Sequence, residues 1–452
     1  MANQTGTLYS YNVDQTGNTV PSAVGASADL RRIHNFGDRV AELAPDESPF
    51  FVYLNKVAKV PTNDPVFRFL ENRSKIDWTS RNFNIKGSAL TNVAADSTYT
   101  IKVDEGSANA VKFLVKGMVI AVETVTNKSL VQFRVEGVTH NSADTDVTAR
   151  CIALTDASSG GSGYNDIADN DECQIIGTSF AEGSGSPDVW SSQLDDDFGY
   201  TQIFKTAAEM TNTAIATNYR GYANEWNRIW NLKLREHKVD IERAMLFSMR
   251  ARSNSVQYSE GMVGHILSSA TAVASGSASY TSGAPYMFSQ ASTAVTYDSL
   301  LSDFETVFDP ARGGNKSKLA LASRPVITFF NKIGGFVDNT MELGGEQRYN
   351  WSAKERNGSF GHSIMQINTI HGDLSMMAEP LFRGISSGYL ALVDLDQVAY
   401  RPLVGNGLNR DNHIITNVQQ ADEDLRKDMI ITEAGLEITI PETHALYSFT
   451  DL

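Results

Sequence analysis

A continuous helical pattern from Thr213 to Arg250 is the feature that most constrains the fold of this chain. Apolar residues recur there at intervals of three and four, which places their side chains on one helix face, and no proline interrupts the pattern. At 1.5 Å per residue the pattern predicts one helix about 55 Å long, more than most compact domains need. The simpler alternative is a long core helix of an ordinary α+β protein. The apolar stripe consists of Ile215, Tyr219, Tyr222, Trp226, Ile229, Trp230, Leu234, Ile241 and Met245.

The length, composition and net charge of the chain limit the classes of function that it can have. The chain has 452 residues, 41% of them hydrophobic and 20% charged, which suffices for two to four folded domains. Its net charge of −15 argues against direct binding of nucleic acid, because phosphate-binding proteins need concentrated lysine and arginine. The sequence contains neither a signal-peptide pattern nor a long apolar run, so we expect neither export nor membrane insertion. Cys151 and Cys173 stand apart, which predicts free thiols in a reducing cytoplasm.

The segments before the long helix alternate between polar stretches and short strands. Residues 1–29 contain few large apolar side chains and predict an arm that becomes ordered only on another surface. Val66–Leu70 predicts a strand that leads outward, and Tyr200–Phe204 predicts a strand that returns. Between them, residues from about 86 to 180 show β-branched runs separated by glycine-rich turns. This alternation of strand-like runs and turns predicts an inserted small β-barrel-like domain.

The segments after the long helix predict a second mixed region. Ser268–Ser292 is rich in serine, alanine and glycine and predicts a surface loop. Residues from about 293 to 414 combine amphipathic helices with apolar strands. The tail predicts two further strands, Asp428–Glu433 and Gly435–Ile440, and a last one from His444 to Phe449.

The residues that could take part in catalysis or metal binding do not form a recognisable site. Gly384–Gly388 matches GxSxG with Ser386 in the nucleophile position, but a strand pattern follows where a nucleophile elbow requires a helix. His237 has no nucleophile or carboxylate that its spacing identifies as a partner. The acidic stretch Asp166–Glu172 lacks the glycine of an EF-hand loop and predicts a solvated loop. We therefore predict no catalytic, metal-binding or cofactor-binding residue.

The order of these segments resembles that of the major capsid proteins of tailed bacteriophages. Their subunit has the Johnson fold, which herpesvirus capsids share. Asp46–Phe51 and Phe67–Glu71 are similar to a helix motif and a strand motif of one phage capsid subfamily. Tyr200–Phe204 is similar to its return strand, and Asp240–Ala244 is similar to the end of its long "spine" helix. The resemblance covers roughly residues 30–452.

The resemblance implies an α+β Johnson fold in four parts. These are an N-terminal arm and short helix (1–60), an extended loop (61–200) that carries the inserted β domain at about 86–180, a peripheral domain (201–292 and 415–452) with the spine helix (213–250), and an axial domain (293–414). The candidate structural or interface residues are Tyr219, Tyr222, Trp226, Ile229, Trp230, Leu234, Ile241, Phe67, Phe69, Tyr200 and Phe204.

The resemblance also implies a function and partners. The subunit would assemble with itself into pentamers and hexamers of an icosahedral head, which encloses double-stranded DNA without sequence-specific binding. Assembly would take place in the host bacterial cytoplasm, with a portal and a cement or decoration protein as partners and no membrane. A separate scaffolding protein is expected, because the roughly 60 residues before the extended loop show no sustained heptad pattern.

Two alternatives come from other classes of protein. An encapsulin-like compartment shell uses the same fold, although encapsulins usually lack so large a β insertion. A hydrolase would be built on the α/β segment, with Ser386 as nucleophile.

Overall fold

The computed structural model describes residues 49–57, 59–72, 82–87, 90–91, 93–104, 113–124, 130–140, 144–154, 166–189, 193–219, 224–277, 284–309, 315–340, 352–357 and 363–452. The predicted arm at residues 1–29 lies outside these ranges. The helices in the described ranges are α1 (Pro49–Val57), α2 (Asn212–Ala216), α3 (Glu225–Phe247), α4 (Met262–Ser269), α5 (Tyr297–Val307) and α6 (Arg324–Thr340).

Most of the strands are short, and most lie in three sheets. In chain order they are β1 (Val66–Glu71), β2 (Asn82–Asn84), β3 (Thr98–Asp104), β4 (Met118–Glu123), β5 (Leu130–His140), β6 (Asp144–Leu154), β7 (Glu172–Thr178), β8 (Asp195–Tyr200), β9 (Gln202–Thr211), β10 (Ala251–Ser253), β11 (Val256–Tyr258), β12 (Ala272–Val273), β13 (Tyr286–Gln290), β14 (Ser317–Ala322), β15 (Ser352–Asn357), β16 (Ser363–Asn368), β17 (Asp373–Ala378), β18 (Tyr389–Val393), β19 (Val398–Pro402), β20 (Val404–Gly405), β21 (Leu408–Asn409), β22 (His413–Ile415), β23 (Leu425–Ile438) and β24 (Ala445–Phe449).

The central element is a mixed eight-stranded sheet in the order β12-β13-β24-β18-β14-β17-β16-β15. Its strand β14 is buried on both faces, because successive side chains of a strand point to opposite sides. Leu319 and Leu321 belong to a cluster shared with α1, α3 and α4, which we call the spine core. Ala320 and Ala322 belong to a second cluster shared with α5 and α6, which we call the axial core. The sheet therefore separates two hydrophobic cores.

A second sheet is organised around β23. This strand pairs with β9 from Leu425 to Ala434, and with β22 and β19 on its other edge. It runs without a break from Leu425 to Ile438, where the sequence predicted two separate strands. Gly435 explains the difference, because it continues the strand where the ring of Phe67 and the backbone of Tyr200 approach too closely for a side chain.

The segment between β1 and β8 forms a sheet with its own core. Six strands follow the order β2-β7-β4-β5-β6-β3, and a bridge between Ile85 and Val103 joins the two edges. Their inward side chains form a cluster separate from the spine and axial cores, which we call the insertion core. Cys151 and Cys173 are free thiols buried in it, as the sequence predicted, and burial raises the pKa of both.

The single helix predicted from Thr213 to Arg250 is wrong. The backbone at Thr217 is extended and ends α2, and α3 begins only after Asn224. The side chain of Asn224 accepts a hydrogen bond from the N–H of Asn227 at 3.1 Å, which makes it an N-cap. The spine helix is therefore α3, with 23 residues and a length of about 34 Å. Periodicity missed the break because a capping asparagine leaves the apolar spacing unchanged.

Strand pairing also crosses the predicted boundaries between the peripheral and axial domains. The strands β12, β13 and β24, which fall in the predicted peripheral domain, lie in the sheet of the axial segment. Conversely, β19 and β22 pair with β23. The predicted loop Ser268–Ser292 contains β13, whose Tyr286 and Phe288 are buried in the axial core. Composition predicted a loop because small polar residues surround this short aromatic strand.

Candidate assembly surface

The strands β1 and β8 form a two-stranded antiparallel ribbon, with Val66 opposite Tyr200 and Glu71 opposite Asp195. We call this pair the ribbon. Phe67 faces the body of the protein, where its ring lies against Gly199 and Gly435. Leu70, on the other face, is 66% exposed. The ribbon thus has one packed face and one open face, as the alternation of a strand requires.

Two side chains fasten the ribbon to the body. Nη1 of Arg250 donates to Oδ1 of Asp197 at 2.7 Å and also to the carbonyl of Phe198, whose ring lies 4.5 Å from the guanidinium carbon. At the other edge, buried Glu71 accepts a hydrogen bond from the N–H of Ile440 at 2.8 Å. No local sequence pattern identifies Arg250 or Glu71 as an anchor, because the partner of each lies far away in the chain.

We expect Arg250→Ala to loosen the ribbon. The variant loses two charge-assisted hydrogen bonds at a partly buried site, so the free energy of unfolding should fall by about 2 kcal/mol. Chemical denaturation gives this value, and amide hydrogen exchange should show faster exchange in β8. Arg252→Ala, two residues away and exposed, is the control. Unchanged exchange in β8 of Arg250→Ala would contradict the anchoring role.

A small aromatic cluster marks the start of the spine helix. Trp226 and Trp230 stack with ring centroids 6.3 Å apart. The guanidinium of Arg426 lies 4.6 Å from the centroid of Trp226. Ala208 and Met210 of β9 complete the buried side of the cluster. Because Trp230 and Ile229 are only half-buried, part of this cluster remains available to a neighbouring molecule.

The predicted structural and interface residues divide by burial. Phe67, Phe204, Trp226 and Ile241 are buried in the subunit. Phe69, Tyr200, Ile229, Trp230 and Leu234 are half-buried, and Tyr219 is 46% exposed. Tyr222 lies outside the described residues. An interface role stays a prediction for the exposed and half-buried residues, whereas the buried ones hold the core.

Further apolar side chains are exposed around the ribbon and the segment that it carries. They are Ile176, Phe180, Val189 and Leu194, and Val189 is 93% exposed. Single exposed apolar residues are ordinary on a soluble protein, but several along one segment are typical of a contact surface. The ribbon, together with the segment between its two strands, is therefore the candidate assembly surface.

The residues considered for chemistry have structural partners. His237 is buried between two hydroxyl groups, with Nδ1 2.9 Å from Oγ1 of Thr206 and Nε2 2.8 Å from Oγ1 of Thr432. Burial lowers the pKa of His237, so it is neutral at pH 7. Ser386 donates to the carbonyl of Arg383 at 3.2 Å, and the strand β18 follows it.

The acidic stretch Asp166–Glu172 uses its carboxylates to hold backbone. Asp169 accepts from the N–H of Gly87 at 2.6 Å, and Asp171 accepts from the N–H of Ala168 at 2.7 Å. Within the described ranges, no group of three or more histidine, cysteine, aspartate or glutamate residues is arranged to hold a metal ion. In the same part of the chain, no helix combines the length and apolar character needed to span a membrane.

Comparison with known families decides the identity of the chain. The family model of the SU10 major capsid protein matches residues 5–451. The chain belongs to this family. It is a major capsid protein of the tailed-phage type, and such a protein associates with itself into capsomers of the virion shell. The predicted fold class, family and function are thereby confirmed, and the encapsulin alternative is the weaker one.

Solved structures with a related architecture are distant in sequence. A chain of Gordonia phage Cozz is 11% identical with a TM-score of 0.43, and the match covers 97% of this chain and 99% of that one. The capsid of a native GTA particle is 9% identical with a TM-score of 0.42, covering 95% and 99%. The SrpI encapsulin of Synechococcus elongatus is 12% identical with a TM-score of 0.36, covering 56% and 75%. No curated protein matches the chain. Because these TM-scores are below 0.5, the assignment rests on the family match.

Proposed function

We propose that this capsid protein forms the pentamers and hexamers of an icosahedral phage head that encloses double-stranded DNA. The observation that carries the proposal is the family match over residues 5–451. The net charge of −15 supports enclosure without binding, because an acidic wall repels the DNA phosphates. A separate scaffolding protein, a portal and a cement or decoration protein are the expected partners, and assembly takes place in the host bacterial cytoplasm.

The ribbon and the sheet that it carries form the extended loop in this proposal. The spine helix with β9 and β23 belongs to the peripheral domain, and the segment with α5 and α6 belongs to the axial domain. The shared eight-stranded sheet joins the last two. Contacts between neighbouring subunits then involve the ribbon, the exposed apolar residues near it and the exposed side of the aromatic cluster at the start of the spine helix.

Expression of the chain alone tests self-assembly. Sedimentation and negative-stain microscopy should show rings or closed particles of many copies. A species that stays monomeric at every concentration and salt, with or without a phage scaffold, would overturn the proposal. Particles isolated from infected cells should contain DNA, whereas cargo protein without DNA would favour the encapsulin alternative.

A role for Ser386 as the nucleophile of a hydrolase is tested separately. Ester hydrolysis that disappears in Ser386→Ala, while the variant still assembles, would show an added enzymatic activity. We expect no such activity, because the Ser386 hydroxyl bonds to the backbone and a strand follows it.

We expect the inserted sheet to be removable without unfolding the rest. The strands at its two ends pair with each other, Asn82 opposite Gln174, so a short glycine-serine bridge can replace residues 82–178. The deletion removes the insertion core and leaves the spine and axial cores intact. Circular dichroism should show a cooperative thermal transition within a few degrees of the original, and sedimentation should show markedly fewer particles.

The control for this deletion is the same bridge inserted after Gly183, an exposed turn position, without any deletion. It should leave both folding and particle yield unchanged. Loss of the cooperative transition in the deletion variant would mean that the six strands belong to the main body.

A further inference from the structure

Ile440, between β23 and β24, has an unfavourable backbone conformation. It is left-handed, with φ 45° and ψ 69°. The other described non-glycine residues with positive φ are asparagine, aspartate and serine, whose short polar side chains make this region more accessible. A β-branched residue seldom adopts it, and Pro441, which follows, also restricts Ile440 towards the extended region. Strain of this kind persists only where neighbouring contacts hold it.

Two sets of hydrogen bonds hold Ile440 in this conformation. Its carbonyl accepts from the N–H and from Oγ1 of Thr443, both at 3.0 Å, across the single-turn 3-10 helix Pro441–Thr443. Its N–H donates to Oε1 of Glu71 at 2.8 Å. Thr443 is a local partner, whereas Glu71 is 369 residues away in the sequence, in β1 of the ribbon. The bond to Glu71 therefore depends on the position of the ribbon.

Glu71 reaches Ile440 because one face of β1 lies on β23. Phe67 and Glu71 are an even number of positions apart in β1, so their side chains point to this same face. Phe67 packs at Gly435 of β23, and the guanidinium carbon of Arg401 lies 5.8 Å from its ring centroid. Glu71 itself is 4% exposed. Lifting of the ribbon from β23 withdraws both side chains together and removes the acceptor of the Ile440 N–H.

The chain that follows Ile440 is bonded to the eight-stranded sheet. The carbonyl of Thr443 accepts a hydrogen bond from Nζ of Lys318 in β14. The carbonyl of His444 accepts one from the N–H of Tyr286 in β13 at 3.1 Å. The strand β24 begins at the next residue and lies in the same sheet. A change in the backbone at Ile440 therefore reaches the contacts with β13 and β14.

We propose that Ile440 is a strained coupling between the ribbon and the eight-stranded sheet. While the ribbon lies on β23, the hydrogen bond to Glu71 keeps Ile440 left-handed. When the ribbon lifts, Ile440 relaxes to the extended region, and the turn Pro441–Thr443 shifts together with its hydrogen bonds to the sheet. The position of the ribbon and the edge of the axial core thus change together. This coupling belongs to the folded subunit, so it is present whether or not subunits form an icosahedral head.

Amide hydrogen exchange of Tyr286 in the full chain tests the coupling, because its N–H donates to the carbonyl of His444. Glu71→Ala removes the acceptor of the Ile440 N–H, so Ile440 should relax and the protection of Tyr286 should fall about tenfold, the factor that corresponds to the cost of a left-handed L-residue. Glu71→Gln keeps an oxygen acceptor and should keep the protection. If Glu71→Ala does not fold, Glu71→Asp, whose shorter side chain withdraws the oxygen, should give the same fall.

The role of strain is tested by making Glu71→Ala in an Ile440→Gly background. Glycine adopts positive φ about as readily as negative φ, so position 440 stays left-handed without Glu71. In this background the loss of Glu71 should leave the protection of Tyr286 unchanged.

Arg68→Ala is the matched control for the ribbon, because Arg68 lies on the exposed face of the same strand and its ion pair with Asp196 is solvated. It should leave the protection of Tyr286 unchanged. Exchange in α5 should be the same in all variants, which separates the coupling from a general loss of stability. Sedimentation checks that the oligomeric state is constant.

Three outcomes would overturn the proposal. The first is unchanged protection of Tyr286 in the alanine or aspartate variant of Glu71. The second is an equal fall in the Ile440→Gly background, because strain would then have no part in the response. The third is the same fall in Arg68→Ala, because any change in the ribbon would then produce it.

Discussion

Replacement of Gly264 by alanine should destabilise the subunit by about 2 to 3 kcal/mol. Gly264 lies in α4 where this helix crosses the end of the spine helix, and an added Cβ would be 2.2 Å from the carbonyl oxygen of Ser248 and 3.0 Å from that of Phe247. Both neighbours are backbone atoms, so neither can rotate away. Overpacking of this severity costs about 3 to 4 kcal/mol, and the better helix propensity of alanine offsets about 1 kcal/mol.

Chemical denaturation followed by circular dichroism measures this loss. Gly405→Ala is the control, because a Cβ at Gly405 would meet Asn63 only at 3.6 Å, an ordinary van der Waals distance. That variant should unfold within about 0.5 kcal/mol of the original chain. If Gly264→Ala were as stable as the original chain, α4 and the spine helix could not cross as closely as the structure shows.

The stability of the subunit should carry an acid-sensitive contribution from His444. This residue is fully buried, and its Nδ1 accepts a hydrogen bond from the N–H of Asp394 at 3.2 Å, so the neutral ring carries its proton on Nε2. Burial, and then the charges of Lys318 and His265, hold the pKa of His444 well below its usual value of 6.5. Protonation would place a buried cation beside Lys318.

The direction of the effect follows from linkage. A histidine whose pKa is lower in the folded state contributes stability above pH 6.5, and this is lost as pH falls towards the folded pKa. The loss approaches about 1.4 kcal/mol per pH unit once the unfolded histidine is fully protonated, and it is at most about 1.6 kcal/mol from pH 6.5 to pH 5, because at pH 6.5 the unfolded histidine is only half protonated. His237, whose pKa is also lowered, acts in the same direction, whereas the raised pKa values of Glu379 and Asp303 act in the opposite one.

Because these groups change the stability in opposite directions as pH changes, the test compares the pH dependence of stability between variants and does not rely on the curve of the unmodified chain. His444→Asn keeps an acceptor for the Asp394 N–H but does not titrate, so the slope of unfolding free energy against pH should become less steep by about 1.4 kcal/mol per unit. Leu446→Ala, in the same buried segment, controls for the loss of packing and should lower stability equally at every pH. An unchanged slope in His444→Asn would show that folding does not lower the pKa of His444.

Local sequence patterns determined the nature of many elements. The apolar spacing from Trp226 to Met245 identified the helix that packs on the spine core, because a period near 3.6 leaves few other ways to bury those residues. The β-branched runs between β1 and β8 identified a region of strands, and the paired motifs around Phe67 and Tyr200 identified the ribbon. These signals act over a few residues, so the sequence carries them directly.

The tertiary structure decided what depends on partners far away in the chain. The aromatic residues of β13 are buried because this strand pairs with β24, about 160 residues later, although the surrounding composition is that of a loop. Arg250 anchors the ribbon only because folding brings Asp197 to it, and Glu242 accepts a hydrogen bond from Phe50 only because α1 packs on the spine helix. No local pattern identifies such pairs. They form because the free energy gained from long-range packing offsets the entropy lost when the intervening chain is closed into a loop, and local propensity has no part in this balance.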